Sequence, residues 1–249
     1  MILSPERKFV FIKGIKVAGT SIEIALAGVC GPDCIITPIT PIDELSRIRR
    51  GRGAQNYSEN PASEQAYIKT LIASNDLSSI DVPKGKYKNH MTLREVITLH
   101  GDIADDYLVF GIERCPYRKI ISWANMELSF QAYKRGGEMR AKLDDVKSFL
   151  EVTVENGRIA HVLNLPRYLG KDGRVGVTHM LRYENLQDDF QRLKSLLDLP
   201  RDLALPHAKK GMLFNEYEIS DIFSPAQIGK INEMFASEFE AFGYDMLAS

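Results

Sequence analysis

The residues of this chain that could do chemistry together are concentrated in one short loop: Gly14, Lys16, Gly19, Thr20 and Ser21. The loop follows an apolar run at positions 9–12, which predicts a strand. It precedes a segment with Ile22 and Leu26 on one face, which predicts a helix. The first N–H groups of a helix lack intrahelical partners and the helix dipole is positive there, so an anion is stabilised. The pattern predicts a phosphate-binding loop, and an ordinary strand-to-helix turn is the alternative.

A second cluster of polar residues has a similar setting about a hundred residues later. An apolar run at positions 108–112 predicts a strand, and Arg114 comes just after it. Pro116 is suited to the first position of a helix, and Ile120, Ala124 and Leu128 give that helix one apolar face. We therefore expect Arg114 to lie at a strand end beside a helix start; an ordinary helix N-terminus with an exposed arginine is the alternative.

Of the five histidines, His90 has the most informative surroundings. Thr92 and Glu95 form the pattern of a capping box, so a helix is predicted to begin just after His90. A histidine side chain can take a proton from a hydroxyl near neutral pH, which makes His90 a candidate general base. A role as a cap or surface residue is the alternative, and His207 is the next candidate. Further on, Ser224 predicts the N-cap of a last long helix.

Composition narrows the class of protein. The 249 residues are 44% hydrophobic and 26% charged, as expected for a globular protein, and the net charge of −1 provides no overall field for nucleic acid or an anionic membrane. No apolar run reaches the roughly 18–20 residues of a membrane span, and the first residues do not form a signal peptide. We expect a cytoplasmic protein with no membrane span and no nucleic-acid partner.

The order of the predicted elements indicates an α/β fold. Apolar runs at positions 9–12, 108–112 and 175–181 alternate with helical patterns, which predicts a central, mainly parallel sheet with helices on both faces. No linker divides the chain, so positions 1–249 are expected to form a single domain. Positions of about 40–90 are less regular and include four arginines between Arg47 and Arg52. This excursion is interpreted either as a solvated loop or as a basic lid or acceptor-binding region.

The loop at positions 15–21 differs from a Walker A sequence, because no lysine stands between Gly19 and Thr20. It instead resembles the sulfotransferases that use 3′-phosphoadenosine 5′-phosphosulfate (PAPS), whose loop reads approximately P-K-[TS]-[AG]-[GS]-[TS]-[ST]. Only Ile15 and Val17 depart from that pattern. The same family has R-[DN]-P-[YW]-x-R-x-x-S at the second strand end. Four residues match it here, namely Arg114, Pro116, Tyr117 and Ser122, while Cys115 and Lys119 depart from it.

The resemblance implies a P-loop-containing sulfotransferase-like fold and metal-independent, in-line transfer of a sulfuryl group from PAPS to a hydroxyl of a carbohydrate or other small molecule. It implies that Lys16 stabilises the leaving group and that Ala18, Gly19, Thr20 and Ser21 hold the 5′-phosphate. It assigns the 3′-phosphate to Arg114 and Ser122, a cofactor-facing basic loop to Lys209, and proton removal to His90. A P-loop nucleotide-dependent kinase and a non-catalytic nucleotide-binding protein are the alternatives.

Overall fold

Two compact units make up the computed structural model, which describes residues 1–101, 106–136, 141–206 and 217–249. Unit 1 comprises the described residues of Met1–Gly14, Ala18–Ile112 and Pro166–Ala208, and unit 2 comprises those of Ile15–Val17, Glu113–Leu165 and Lys209–Ser249. The predicted phosphate-binding loop therefore contributes residues to both units.

The described residues of unit 1, with Glu113 added at one strand end, form a sheet of five strands: β1 (Ile2–Ser4), β2 (Phe9–Phe11), β3 (Ile35–Ile36), β4 (Leu108–Glu113) and β5 (His179–Arg182). Their order across the sheet is β3-β1-β2-β4-β5. Strands β2 and β4 are parallel, with Phe9 opposite Leu108 and Phe11 opposite Phe110. Strand β1 is antiparallel to both β2 and β3.

The prediction of an α/β fold is confirmed, but the prediction of a mainly parallel sheet is wrong. Strand β1 ends at Ser4 and β2 begins at Phe9. A connection this short can join only antiparallel neighbours, since a parallel pair needs a crossover of a dozen or more residues. Lys8, in this connection, has a φ of 51°, which closes the turn in a left-handed backbone conformation. The sheet is therefore mixed, with helices around it.

Ten α-helices are found among the described residues, and three short 3₁₀ helices accompany them. The α-helices are α1 (Gly19–Leu26), α2 (Pro41–Ile48), α3 (Pro61–Ala73), α4 (Leu93–His100), α5 (Pro116–Lys134), α6 (Leu143–Glu155), α7 (Leu165–Tyr168), α8 (Leu186–Leu196), α9 (Ile219–Ile222) and α10 (Pro225–Phe242). The 3₁₀ helices are Leu77–Ser79, Arg158–Val162 and Tyr183–Asn185. None of the helices in these described ranges is long and apolar enough to cross a membrane.

The sequence signals at helix starts are confirmed. Thr92 caps α4 through a capping box with Glu95, and Ser224 caps α10 in the same way with Gln227. Pro116 is the first residue of α5, as expected for a proline whose missing N–H costs no helical hydrogen bond. These local signals fix where α4 and α5 begin, so His90 lies just before α4 and Arg114 lies just before α5.

The irregular region predicted at about 40–90 contains α2, α3 and one 3₁₀ helix. Two of its arginines make structural contacts. Arg47 is fully buried, with its guanidinium 2.6 Å from Glu44 Oε2 and 2.9 Å from Thr37 O. Arg52 Nε donates to Cys30 O at 2.8 Å. Arg47 is therefore not part of an exposed basic cluster, whereas Arg49, Arg50 and Arg52 are exposed.

Unit 2 has its hydrophobic core between α5, α6 and α10. The apolar face predicted for α10 is buried, and it comprises Ile228, Ile231, Phe235, Phe239 and Phe242. Glu238 lies on the same helix and is also buried, with only 1% of its surface exposed. A buried carboxylate needs compensating partners, because desolvation of a charge is costly. The partners of Glu238 include the ammonium group of Lys119 and the backbone N–H of Asn164.

Candidate functional site

The phosphate-binding loop predicted from the sequence has an unusual backbone. Lys16 has a φ of 62°, and Ala18, the N-cap residue of α1, has a φ of 63° and a ψ of 20°. Residues other than glycine rarely adopt such left-handed conformations, which cost about 1 kcal/mol or more each. Turn conformations of this kind can direct successive backbone N–H groups towards one anion. Ala18 provides no side-chain cap for α1, so the first turn of this helix gains no acceptor from that residue.

Thr20 and Ser21 lie in the first turn of α1, and both are partly exposed. The Ser21 N–H donates to Ala18 O at 3.0 Å, which closes the turn at the start of the helix. Gly19 is buried directly between Ala18 and these two residues. The chain therefore places both predicted hydroxyls at the positive end of the α1 dipole.

Gly19 also has a packing role that the sequence did not reveal. A Cβ atom at this position would lie 2.7 Å from Cγ of Lys13, so no larger residue fits without a shift. The Lys13 side chain is buried and passes Gly19 to reach Glu23, with Nζ 2.6 Å from Oε2. The absence of a side chain at Gly19 thus allows a lysine to run beneath the start of α1.

Glu23 is a fully buried carboxylate with two cationic partners. Its Oε1 accepts from the Met1 ammonium group at 2.5 Å and its Oε2 from Lys13. Burial by itself would raise the pKa of Glu23, but the charges of Lys13 and Met1 hold it well below the usual range. A signal was present in the sequence, because Glu23 stands between two isoleucines in an otherwise apolar helical segment. A charge in that position indicates a buried partner.

His90 lies in unit 1, as does Lys13, and the two are in contact. The His90 Nδ1 atom is 3.1 Å from Lys13 O. Because a carbonyl oxygen can only accept, Nδ1 carries the proton and Nε2 has the lone pair. Burial, together with the Lys13 charge, lowers the pKa of His90 to about 3. His90 is therefore neutral at physiological pH, and its φ of 58° adds a third left-handed residue among the predicted site positions.

Arg114 and Ser122 belong to unit 2, where both are largely buried. The Arg114 N–H donates to Glu113 Oε1 at 2.8 Å, so the backbone at the end of β4 is fixed by the side chain of the preceding residue. Tyr117, another matching position, has a structural role: its hydroxyl donates to Asn232 Oδ1 and accepts from the Leu247 N–H. The sequence match at Tyr117 is thus explained by packing.

Lys119 departs from the arginine of the family pattern, and it is fully buried between two carboxylates. Its Nζ donates to Glu113 Oε1 at 2.8 Å and to Glu238 Oε2 at 2.6 Å. One cation therefore faces two acids. Burial raises the pKa of Glu113 to about 7, and the charge of Glu238 adds to this effect while Lys119 opposes it. Among the described residues, Glu113 Oε2 has no hydrogen-bond partner.

Asn164 connects this buried group to the loop, and sequence reasoning did not identify it. The Ile15 N–H donates to Asn164 Oδ1 at 2.7 Å, and Asn164 Nδ2 donates back to Ile15 O at 3.1 Å. The same Nδ2 lies 3.4 Å from Glu113 Oε1. The backbone N–H of Asn164 donates to Glu238 Oε1. Within unit 2, Ile15 is therefore linked to Glu113, and through it to Arg114.

The remaining predicted residue, Lys209, lies outside the described residues, as does His207. Within the described ranges, no group of three or more histidine, cysteine, aspartate or glutamate side chains is arranged to hold a metal ion. Comparisons with protein-family models, with curated proteins and with solved structures find no match for this chain. A functional interpretation must therefore rest on its own residues.

Proposed function

We propose that this protein is a sulfotransferase that transfers a sulfuryl group from PAPS to the hydroxyl of a carbohydrate or other small molecule. The observation that carries the proposal is the left-handed backbone at Lys16 and Ala18, immediately before α1. Strained residues persist where the surrounding structure holds them, and they cluster at functional sites. Here they coincide with the loop whose residues resemble the 5′-phosphate loop of the family.

The second motif supports the same proposal from unit 2. Arg114 follows β4 directly and Ser122 lies two turns into α5, so both elements expected around the motif are present. Arg114 offers a planar guanidinium suited to a phosphate group, and Ser122 offers a hydroxyl. In the proposed reaction these two residues bind the 3′-phosphate, which is the group that distinguishes PAPS from ATP.

The remaining roles follow from charge. PAPS supplies the sulfuryl group, and negative charge builds up on the departing 5′-phosphate during transfer. A fixed cation near that charge lowers the barrier, and Lys16 is proposed to provide it. Thr20 and Ser21, with the first N–H groups of α1, are proposed to bind the 5′-phosphate. His90 is proposed to accept the hydroxyl proton at Nε2, while its Nδ1–H is held by Lys13 O; its lowered pKa makes it a weaker base than an ordinary histidine.

A ligand panel tests the proposal. Adenosine 3′,5′-bisphosphate should raise the melting temperature in a concentration-dependent way, because a ligand at about 100 times its Kd stabilises by roughly 2.7 kcal/mol. We expect 5′-AMP to raise it less, since it lacks the 3′-phosphate. Release of adenosine 3′,5′-bisphosphate from PAPS in the presence of a panel of sugar and phenol hydroxyl acceptors then measures turnover.

Two results would contradict the proposal. Stabilisation by ATP with Mg²⁺ that exceeds stabilisation by adenosine 3′,5′-bisphosphate would favour a P-loop kinase. Tight binding of adenosine 3′,5′-bisphosphate without release of product from PAPS, for any acceptor of the panel, would favour a non-catalytic nucleotide-binding protein.

A further inference from the structure

We infer that Asn164 is a positioning residue, which holds the Lys16 segment in a fixed relation to Arg114 through the buried acid Glu113. This inference rests on the proposed function, in which Lys16 and Arg114 bind different phosphates of one nucleotide. All of the residues concerned belong to unit 2. Asn164 touches neither phosphate in the proposal, so it acts through the backbone of Ile15 and is not a catalytic residue.

The contacts of Asn164 are those of a backbone mimic. Its carboxamide pairs with the N–H and the C=O of Ile15 simultaneously, as a neighbouring strand would. Two hydrogen bonds to one residue fix its orientation as well as its position. Lys16 is the next residue, so these two hydrogen bonds also set the direction of the backbone as it enters Lys16. Left-handed Lys16 needs such support, because its backbone conformation is intrinsically unfavourable.

Asn164 is itself held by buried acids. Its side chain is 3.4 Å from Glu113 Oε1, and its backbone N–H donates to Glu238 Oε1. Glu113 and Glu238 are joined by Lys119, which lies between them. Glu113 Oε1 also accepts from the Arg114 N–H at 2.8 Å. A single oxygen atom of Glu113 therefore contacts both the residue that fixes Ile15 and the residue proposed to bind the 3′-phosphate.

This arrangement explains why a lysine suits position 119, where the family pattern has an arginine. An ammonium group is compact and can donate to two carboxylates on different elements. Fully buried, with no exposed surface, Lys119 is directed into the core of unit 2. Here Lys119 fixes the acid that supports Asn164 and Arg114, so its effect on the nucleotide is indirect.

The first experiment needs no ligand. In Asn164→Ala, the Ile15 N–H loses its acceptor, so amide hydrogen exchange at positions 15–17 should accelerate by about tenfold or more while α5 and α10 keep their protection. The matched control is Asn125→Ala, which removes another buried asparagine of unit 2, whose Oδ1 accepts from Ser129 Oγ. Exchange at positions 15–17 that is equal in the two variants would overturn the inference.

The second experiment separates positioning from binding. We expect kcat of Asn164→Ala to fall by roughly 10- to 100-fold, because a displaced Lys16 no longer matches the transition state. The Kd for adenosine 3′,5′-bisphosphate should change by less than about fivefold, since the phosphate contacts themselves remain. Equal losses in kcat and in binding would indicate general disruption of the fold, and would overturn the positioning role.

A conservative variant provides a pH-dependent rescue. Asn164→Asp keeps an acceptor for the Ile15 N–H, but it can donate to Ile15 O only when the new carboxyl is protonated. That carboxyl is fully buried beside Glu113, Glu238 accepts from the backbone N–H of the same residue, Lys119 lies between the two acids, and Arg114 is bonded to Glu113; burial therefore favours its protonated form. Exchange at positions 15–17 should therefore approach the wild-type rate at pH 5 and that of Asn164→Ala at pH 9. Parallel profiles for the two variants would contradict the donor role.

The outcomes distinguish this inference from the proposed function. If the wild-type protein binds no adenosine 3′,5′-bisphosphate, the proposed function is wrong, and the exchange experiment alone decides whether Asn164 holds the segment. If the wild-type protein binds and turns over PAPS while Asn164→Ala behaves like Asn125→Ala, the proposed function stands and the inference is wrong.

Discussion

Replacement of the buried acid Glu113 by glutamine should stabilise this protein at alkaline pH. Glu113 is 1% exposed, shares one lysine with Glu238, and has an Oε2 atom without a hydrogen-bond partner among the described residues. Glu113→Gln keeps the oxygen that accepts from Lys119 and from the Arg114 N–H, but it removes the charge. The triad of one cation and two acids then becomes a simple ion pair between Lys119 and Glu238.

The size of the effect follows from the pKa. Burial raises the pKa of Glu113 from 4.5 to about 7. The folded protein therefore keeps this proton up to about pH 7, whereas the unfolded chain loses it near pH 4.5. The contribution of this group to the free energy of unfolding is fully present below pH 4.5 and is lost as the pH rises through 7. At about 1.4 kcal/mol per pH unit, the ionised acid costs about 3 kcal/mol above pH 8, and Glu113→Gln should avoid that cost.

Urea unfolding at pH 5, 6, 7 and 8 provides the assay. The free energies of unfolding of Glu113→Gln and wild type should agree within about 1 kcal/mol at pH 5 and diverge in favour of the variant towards pH 8. The control is Glu155→Gln in the same unit, because Glu155 pairs with Lys230 on the surface and such pairs contribute only about 0–1 kcal/mol. Parallel curves for Glu113→Gln and wild type, or a less stable variant at pH 8, would refute the reasoning.

Three further predictions concern the proposed reaction. Lys16→Ala should lower kcat by about 10²–10³-fold with little change in the affinity for adenosine 3′,5′-bisphosphate, and turnover equal to that of the exposed-lysine control Lys88→Ala would remove Lys16 from the mechanism. Arg114→Ala should weaken calorimetric binding of adenosine 3′,5′-bisphosphate by about 1.5–3 kcal/mol but not that of 5′-AMP, whereas Arg192→Ala should affect neither, and equal weakening of both nucleotides would contradict a 3′-phosphate contact. His90→Asn, which tolerates the positive φ, should lower kcat/KM by about 10²-fold without removing any ionisation between pH 5 and 8, because the pKa of His90 is already about 3. Loss of an ionisation near pH 6.5 in this variant would contradict that lowered pKa.

Local patterns predicted the elements that carry the two motifs. The apolar runs gave β2 and β4 to within two residues, and proline and capping signals gave the starts of α4, α5 and α10. These signals act over three or four residues, so they can be read directly from the chain. The order of strand, loop and helix at both motifs was therefore predictable.

Pairing between distant segments was not predictable in the same way. The first strand has only three residues, too few to show an alternating pattern, and its antiparallel pairing gave a mixed sheet. Asn164 lies 149 residues from Ile15, and nothing in its sequence neighbourhood indicates a bond to the loop. The lowered pKa of His90 also has a non-local cause, since it depends on burial and on Lys13.

The two buried ion networks each place a carboxylate and a lysine beside one of the proposed phosphate-binding segments. In unit 1, Glu23 pairs with Lys13 beneath the start of α1, and in unit 2, Glu113 pairs with Lys119 beside Arg114. Buried pairs of this kind contribute little net stability, because desolvation offsets their attraction. They do impose definite geometry, since each charged atom must keep its partners. Each pair lies next to residues proposed to bind one phosphate, so the cost of desolvation is incurred where the proposed function needs fixed positions. Glu113→Gln tests this reasoning directly: it should increase stability at pH 8 and yet leave kcat/KM no higher than in the wild type.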